Sequence, residues 1–181
     1  MCGMLFVTGR VRGVSSLDNI MYAFCDDSSA ILLYDMDTQS PIGTININGM
    51  KAPQDIVFCR DDRQLYVADS GCLLWRVSVD DHSDQEKWLS TEPTKDNSFS
   101  ITSLSVASRR LLVTSLRPPS LYLYNTADKQ QLHHLQLPEY VKGLHHSVET
   151  TRGTFIICHY GTAKDEFEEA VSELFLPRDA L

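Results

Sequence analysis

Apolar residues along this chain fall in short runs separated by polar turns, and four of the runs recur at a near-constant interval. MYAFCD starts at Met21, LYVADS at Leu65, LLVTSL at Leu111 and FIICHY at Phe155, so the starts lie 44, 46 and 44 residues apart. Each run is apolar, β-branched or aromatic and closes on a polar residue, the signature of a buried strand. The flanks recur as well. ILLYDMD (from Ile31), LLWRVSV (from Leu73) and LYLYNTA (from Leu121) follow the first three runs. PIGTINI, EKWLS and QLHHLQL come next, while RGVSSL, DIVFC, TSLSV and HHSVE precede the four runs. The links are turn-rich: Asp26-Asp27-Ser28-Ser29, Ser70-Gly71 and Pro118-Pro119-Ser120.

Roughly four strands every ~45 residues is the spacing of β-propeller blades, built as antiparallel meanders. The expected fold is therefore all-β: a propeller-like array of about four four-stranded blades over residues 1–163. Such an array is either a small closed propeller or a partial one. A partial one leaves an open blade edge through which the chain would self-associate. Met4–Thr8 (MLFVT) is a candidate outer strand for the last blade. Residues 164–181 break the pattern. Phe167, Val171, Leu174 and Phe175 fall at i, i+4, i+7 and i+8, with Thr162 as a cap. That spacing predicts a short amphipathic helix over Asp165–Phe175 with an acidic outer face.

Composition narrows the function classes. The chain has 181 residues, 43% hydrophobic and 22% charged, enough for one real core. Its 16 basic and 24 acidic residues leave a net charge of −8, which disfavours a phosphate backbone as partner. The densest basic spots are only Arg109-Arg110 and Arg60–Arg63. No apolar run approaches the roughly 18 residues of a membrane span, and Met4–Val7 is too short for a signal-peptide core. The five cysteines, Cys2, Cys25, Cys59, Cys72 and Cys158, show no Cys-x-x-Cys spacing. Scattered thiols fit a reducing interior, so a cytoplasmic location is expected.

In a meander array the ends of the four runs share one level. That level offers a binding ring of Asp26, Asp69, Ser70, Ser115 and His159, with Cys25 beside it. The competing reading is local: Asp and Ser at strand ends bond to backbone groups of nearby turns. A calcium site wants six to eight oxygens, and the ring has two clear carboxylates. No metal and no cofactor are expected. His133-His134 and His145-His146 are adjacent pairs, and neighbours on a strand point to opposite faces. The same argument separates Cys158 from His159, and no Gly-x-Ser-x-Gly elbow is present. Tyr66, Val67, Leu74 and Trp75 are expected in the core. The polar stretch Ser90–Ser98 is a rim loop of the kind that selects a peptide partner.

One segment carries a family resemblance. APQDIVFCRDDRQLYVADSGCLLWRV, Ala52 to Val77, resembles an NHL repeat through Pro53, Ile56, Tyr66, Val67, Ala68, Asp69, Ser70 and Gly71. Related six-bladed propellers of the gluconolactonase-like or strictosidine-synthase-like kind share the pattern. The resemblance implies a non-catalytic propeller module or scaffold that binds a protein or peptide, without activity of its own. Two alternatives follow from the same relatives. One is a metal-dependent lactonase-like hydrolase using Asp26, Asp69 and their neighbours. The other is an RNA-binding NHL-type propeller, which the charge disfavours.

Overall fold

Every one of the four recurring runs becomes the second strand of its own sheet. The computed structural model describes residues 9–26, 28–70, 73–90, 100–138, 141–151, 154–160 and 169–175, the last of these as backbone. The first sheet is β1 (Val11–Leu17), β2 (Ile20–Cys25), β3 (Ala30–Asp35) and β4 (Ser40–Asn46). The second is β5 (Asp55–Cys59), β6 (Gln64–Asp69), β7 (Leu73–Ser78) and β8 (Gln85–Ser90). The third is β9 (Ile101–Ala107), β10 (Arg110–Ser115), β11 (Ser120–Asn125) and β12 (Gln131–Gln136). The fourth is β13 (Lys142–Thr151), β14 (Thr154–Tyr160) and β15 (Glu169–Phe175). All four are antiparallel meanders in chain order, the propeller-like all-β array expected from the spacing. Tight hairpins make this possible. Between β9 and β10 the two loop residues Ser108 and Arg109 both take positive φ, 46° and 58°, the backbone hand that matches the strand twist.

The sheets stack side by side through their first strands. β1 packs on β5, β5 on β9 and β9 on β13. Alternation then decides which side chain meets which neighbour. On β2, Tyr22 and Phe24 face the second sheet, where Ile56, Phe58, Leu65, Val67, Trp75 and Val77 complete one core cluster. On β6, Tyr66 and Ala68 point the other way and join Leu104, Leu111, Val113 and Tyr124 of the third sheet. Leu112, Leu121 and Leu123 meet Leu144, Phe155 and Ile157 of the fourth. The inner blades are thus buried on both faces, which is why their runs are continuously apolar. Each fully buried large side chain contributes about 1.5–3 kcal/mol. Tyr66, Val67 and Leu74 are fully buried and Trp75 nearly so, as the sequence predicted. Gly13 allows a close approach between the first two sheets. A Cβ there would collide with the Phe24 ring and crowd Ile56 at 3.1 Å.

Polar staples cross the same interfaces. Phe58 N donates to Ser15 Oγ (3.1 Å), and Leu104 N to Asp55 Oδ2 (2.7 Å). Thr114 and Ser147 share a buried hydroxyl hydrogen bond.

The C-terminal helix is corrected. Residues 169–175 form strand β15, paired antiparallel to β14 from Tyr160↔Glu169 to Thr154↔Phe175. β14 has a second edge of backbone donors and acceptors, and leaving it unpaired costs more than the local helix preference of a few acidic residues gains. The helical spacing of Val171, Leu174 and Phe175 was a weaker signal than that demand. Residues 165–168, Met4–Thr8 and 91–98 lie outside the described residues.

Candidate functional site

The ring positions occupy the ends of the second strands, one strand back from the inner line of β1, β5, β9 and β13. Asp69 is fully buried at the end of β6. Its carboxylate accepts from Lys51 N (3.0 Å to Oδ2), Ala52 N (2.7 Å), Ser70 N (2.7 Å) and Trp75 Nε1 (3.3 Å). It therefore ties the loop before β5 to β6 and β7. Ser70 serves this bonding through its amide. Ser115 is buried and its Oγ donates to Arg117 O (3.3 Å). Asp26 pairs with Arg12 and, at 3.8 Å, with Arg10. His159 is buried with Nδ1 3.4 Å from Tyr160 O. Cys25, Asp69, Ser115 and His159 are equivalent positions of the fold, and each is engaged locally. Among the described residues, no group of three His, Cys, Asp or Glu side chains is placed to hold a metal ion. The histidine pairs split across faces: His134 stacks on Tyr122 at 4.4 Å, and His145 meets the Tyr160 ring edge-on at 4.2 Å.

The opposite end of the array carries the hairpin turns between first and second strands. A depression of about 450 Å³ there is lined by Ala107, Ser108, Arg110, Glu149, Thr150 and Thr151. Arg110 donates two hydrogen bonds to Glu149 (3.1 and 2.8 Å), and both side chains are largely buried. Arg109 Nη2 donates to Asp61 O at 3.3 Å, so turns 48 residues apart in sequence are joined. The sequence's densest basic spots do converge here, yet acidic partners interleave them. Arg63 bonds Asp80 at 2.9 Å, and Arg110 is matched by Glu149. This gives a mixed-charge floor rather than a basic face. Nothing in the sequence marked Glu149, because its partner lies 39 residues away.

Titratable groups between the sheets are shifted toward their neutral forms. Burial raises the Asp55 carboxyl above its ordinary value, against the two amides that hydrogen-bond it. Burial and the neighbouring Asp62 push the Cys59 thiol up to about 11, which removes its nucleophilicity at neutral pH. Burial likewise raises the Tyr66 hydroxyl.

A surface that the sequence reading passed over lies on the first sheet. Among the described residues the exposed large hydrophobics are Val11, Val14, Met36 and Ile42, all in this sheet or its turns. Register sets Val14, Ala23, Leu32 and Thr44 in one row across it. Met21, Tyr34 and Pro41 form the next row. Both rows face away from the second sheet; within them Ala23 and Tyr34 are buried and Met21 and Leu32 part-buried. Val14 is 53% exposed, and Ile42, the extra residue of a bulge in β4, is 51% exposed. The alternation in RGVSSL was the signal available in the sequence.

Comparison with known proteins places the fold. No family model and no curated protein matches the chain. Among solved structures it is similar to hydrazine synthase of Kuenenia stuttgartiensis, with a TM-score of 0.71 and 13% identity over 93% of this chain. It is similar to U3-55K with a TM-score of 0.65 and 12% identity over 92% of this chain. It also resembles the computationally designed Ika4 protein, with a TM-score of 0.66 and 12% identity over 98% of this chain. The chain spans 52% of the hydrazine synthase and U3-55K chains and 100% of Ika4. These likenesses concern the propeller-like fold. No helix among the described residues is long and apolar enough to cross a membrane.

Proposed function

We propose that this protein is a non-catalytic protein-binding propeller module, NHL-like in its second blade and cytoplasmic. The observation that carries the reading is the set of exposed apolar residues Val11, Val14, Met36 and Ile42 in the first sheet and its turns. Isolated surface hydrophobics need no explanation, whereas exposed apolar residues gathered in one sheet point to a protein contact. The residues of the NHL resemblance support the family reading. Ile56 faces the first sheet from β5, and Tyr66–Asp69 close β6 on the buried carboxylate that fixes the preceding loop. The hydrolase alternative needs ring carboxylates open to a metal, and Asp69 instead spends its oxygens on amides and an indole. RNA binding needs a basic face, and the paired arginines at the turn end weigh against one.

The reading is tested with Val14→Asp, an exposed substitution whose intrinsic cost is expected to be within about 0.5 kcal/mol. Tagged wild-type and variant chains of equal melting midpoint are compared by affinity capture from the cytosol of the source cells. Proteins retained by the wild type and lost by the variant are the expected result. Identical sets would overturn the assignment of binding to this face.

A further inference from the structure

The depression at the turn end is lined by an arginine whose hydrogen-bonding capacity is only partly used. A guanidinium carries five N–H donors in a rigid fork. Arg110 donates from Nε and Nη2 to the two carboxylate oxygens of Glu149. Among the described residues it makes no further hydrogen bond. None of its nitrogens is both buried and unbonded there, so its unbonded Nη1 is reached by solvent. Arg110 lines the depression of about 450 Å³, and its outer donors are thus presented to whatever enters.

Glu149 holds the fork in place. Its side chain is 5% exposed and that of Arg110 15%, and the pair bridges β10 and β13. The guanidinium is therefore positioned before a ligand arrives, and binding need not order a long, free side chain. Ser108 and Thr151, both exposed, add hydroxyls to the same lining. A second depression of about 290 Å³ shares Ala107 and Ser108 with the first and is lined by Arg60 and Asp61.

This donor set selects its acceptor. Guanidinium N–H groups and hydroxyls without protein acceptors suit an oxyanion, which they bind through short, charge-assisted hydrogen bonds. Glu149 limits the charge of that oxyanion. Its carboxylate already neutralises Arg110, so a dianion would meet an uncompensated like charge beside it. A planar monoanionic carboxylate fits the outer fork, and a phosphate dianion does not.

We infer that the depression binds a ligand carboxylate, anchored by the outer N–H groups of Arg110 and flanked by the hydroxyls of Ser108 and Thr151. The site lies at the turn end and is independent of the exposed apolar residues of the first sheet. Two sources share this chemistry: an acidic side chain of a bound peptide, and a small free carboxylate.

The experiment is a titration of the isotope-labelled full chain at low ionic strength, followed by nuclear magnetic resonance at the Arg110 Nε–H and the amides of Ser108 and Thr151. The probes are acetate, the end-blocked tripeptide Gly-Glu-Gly, its Gly-Gln-Gly counterpart and inorganic phosphate as the dianion. Acetate and Gly-Glu-Gly are expected to give saturable shifts. Gly-Gln-Gly is expected to bind at least about tenfold more weakly, since it loses the charge-assisted bonds. Tighter binding of Gly-Glu-Gly than of acetate supports the site with an acidic side chain as its ligand. Equal binding supports it with a small free carboxylate. Equal shifts from the two tripeptides, phosphate binding tighter than acetate, or no saturation by either carboxylate overturns the inference. The double change Arg110→Met with Glu149→Leu removes the anchor without stranding a charge, and binding is expected to vanish. A folded double variant that binds like the wild type overturns the inference. Should that variant not fold, Ser108→Gly with Thr151→Ala takes its place, because both positions are exposed and the φ of 46° at Ser108 suits glycine. Loss of the two hydroxyls is expected to weaken binding of Gly-Glu-Gly about tenfold, and unchanged affinity overturns the inference.

Discussion

Trp75 and Asp69 meet through a buried hydrogen bond at the end of one core run. Trp75 is 4% exposed, packs in the core between the first two sheets and donates its indole N–H to Asp69. Trp75→Ala removes that packing and leaves a cavity, with an expected loss of about 3–5 kcal/mol by urea unfolding. A loss under about 1 kcal/mol would place the ring outside the core. Asp69 is a polar residue at a run end, as a ligand-binding ring would require. Its oxygens instead bind the amides of Lys51, Ala52 and Ser70. Titration with Ca²⁺, Zn²⁺ or Mn²⁺ is therefore expected to leave the melting midpoint unmoved, because a ligand that binds only the native state would raise it. A saturable rise that disappears in folded Asp69→Ala would install a metal site after all.

Strand β15 is decided by its neighbour rather than by its own residues. EAVSELF reads as a helix face by spacing, with three of its apolar residues on one side. In the fold it pairs along the full length of β14, from residue 154 to residue 160. β14 is then a central strand, with amides bonded alternately to β13 and β15. Native-state hydrogen exchange should find protection at every amide from Phe155 to His159. Slow and fast amides in alternation would mean that β14 is an edge strand and that 169–175 is not paired to it. The same hydrogen-bonding demand explains why the end positions in a chain of repeats are the least readable from sequence.

Among the described residues, the three interfaces between consecutive sheets are chemically unequal. Those between the first three sheets are closed by aromatic and aliphatic side chains, including the edge-on chain Tyr66–Trp88–Tyr124 with centroids 5.3 and 5.6 Å apart. The third interface adds buried polar pairs, Thr114 with Ser147 and Arg110 with Glu149. Breaking a buried ion pair from one side strands a charge. Arg110→Met is therefore expected to cost about 3–5 kcal/mol, and the double change Arg110→Met with Glu149→Leu to recover most of it. Chemical denaturation of the two variants and the single Glu149→Leu completes the cycle. Full additivity would show that the pair is not coupled. In a stack where each repeat touches only its neighbours, such a loss loosens the fourth sheet first.

The sequence by itself determined the repeat, the strand identity of its four core runs and the inner residues of the best-matched blade. Those are local matters: a run buried on both faces must be apolar throughout, and a two-residue hairpin must suit its turn. It also contained the ring level, because equivalent positions in equal repeats fall at equal heights. Tertiary structure alone decided what those ring residues touch. Asp69 is fixed by amides 17 and 18 residues away, and Arg110 by a carboxylate 39 residues away. It alone decided that residues 169–175 extend, since the unpaired edge of β14 outweighs a helical spacing of seven residues. It alone showed which apolar side chains of the first sheet stay exposed, Val11, Val14, Met36 and Ile42 among the described residues. A hydrophobic pattern records that a side chain is to be buried, and only the arrangement of the sheets records against what.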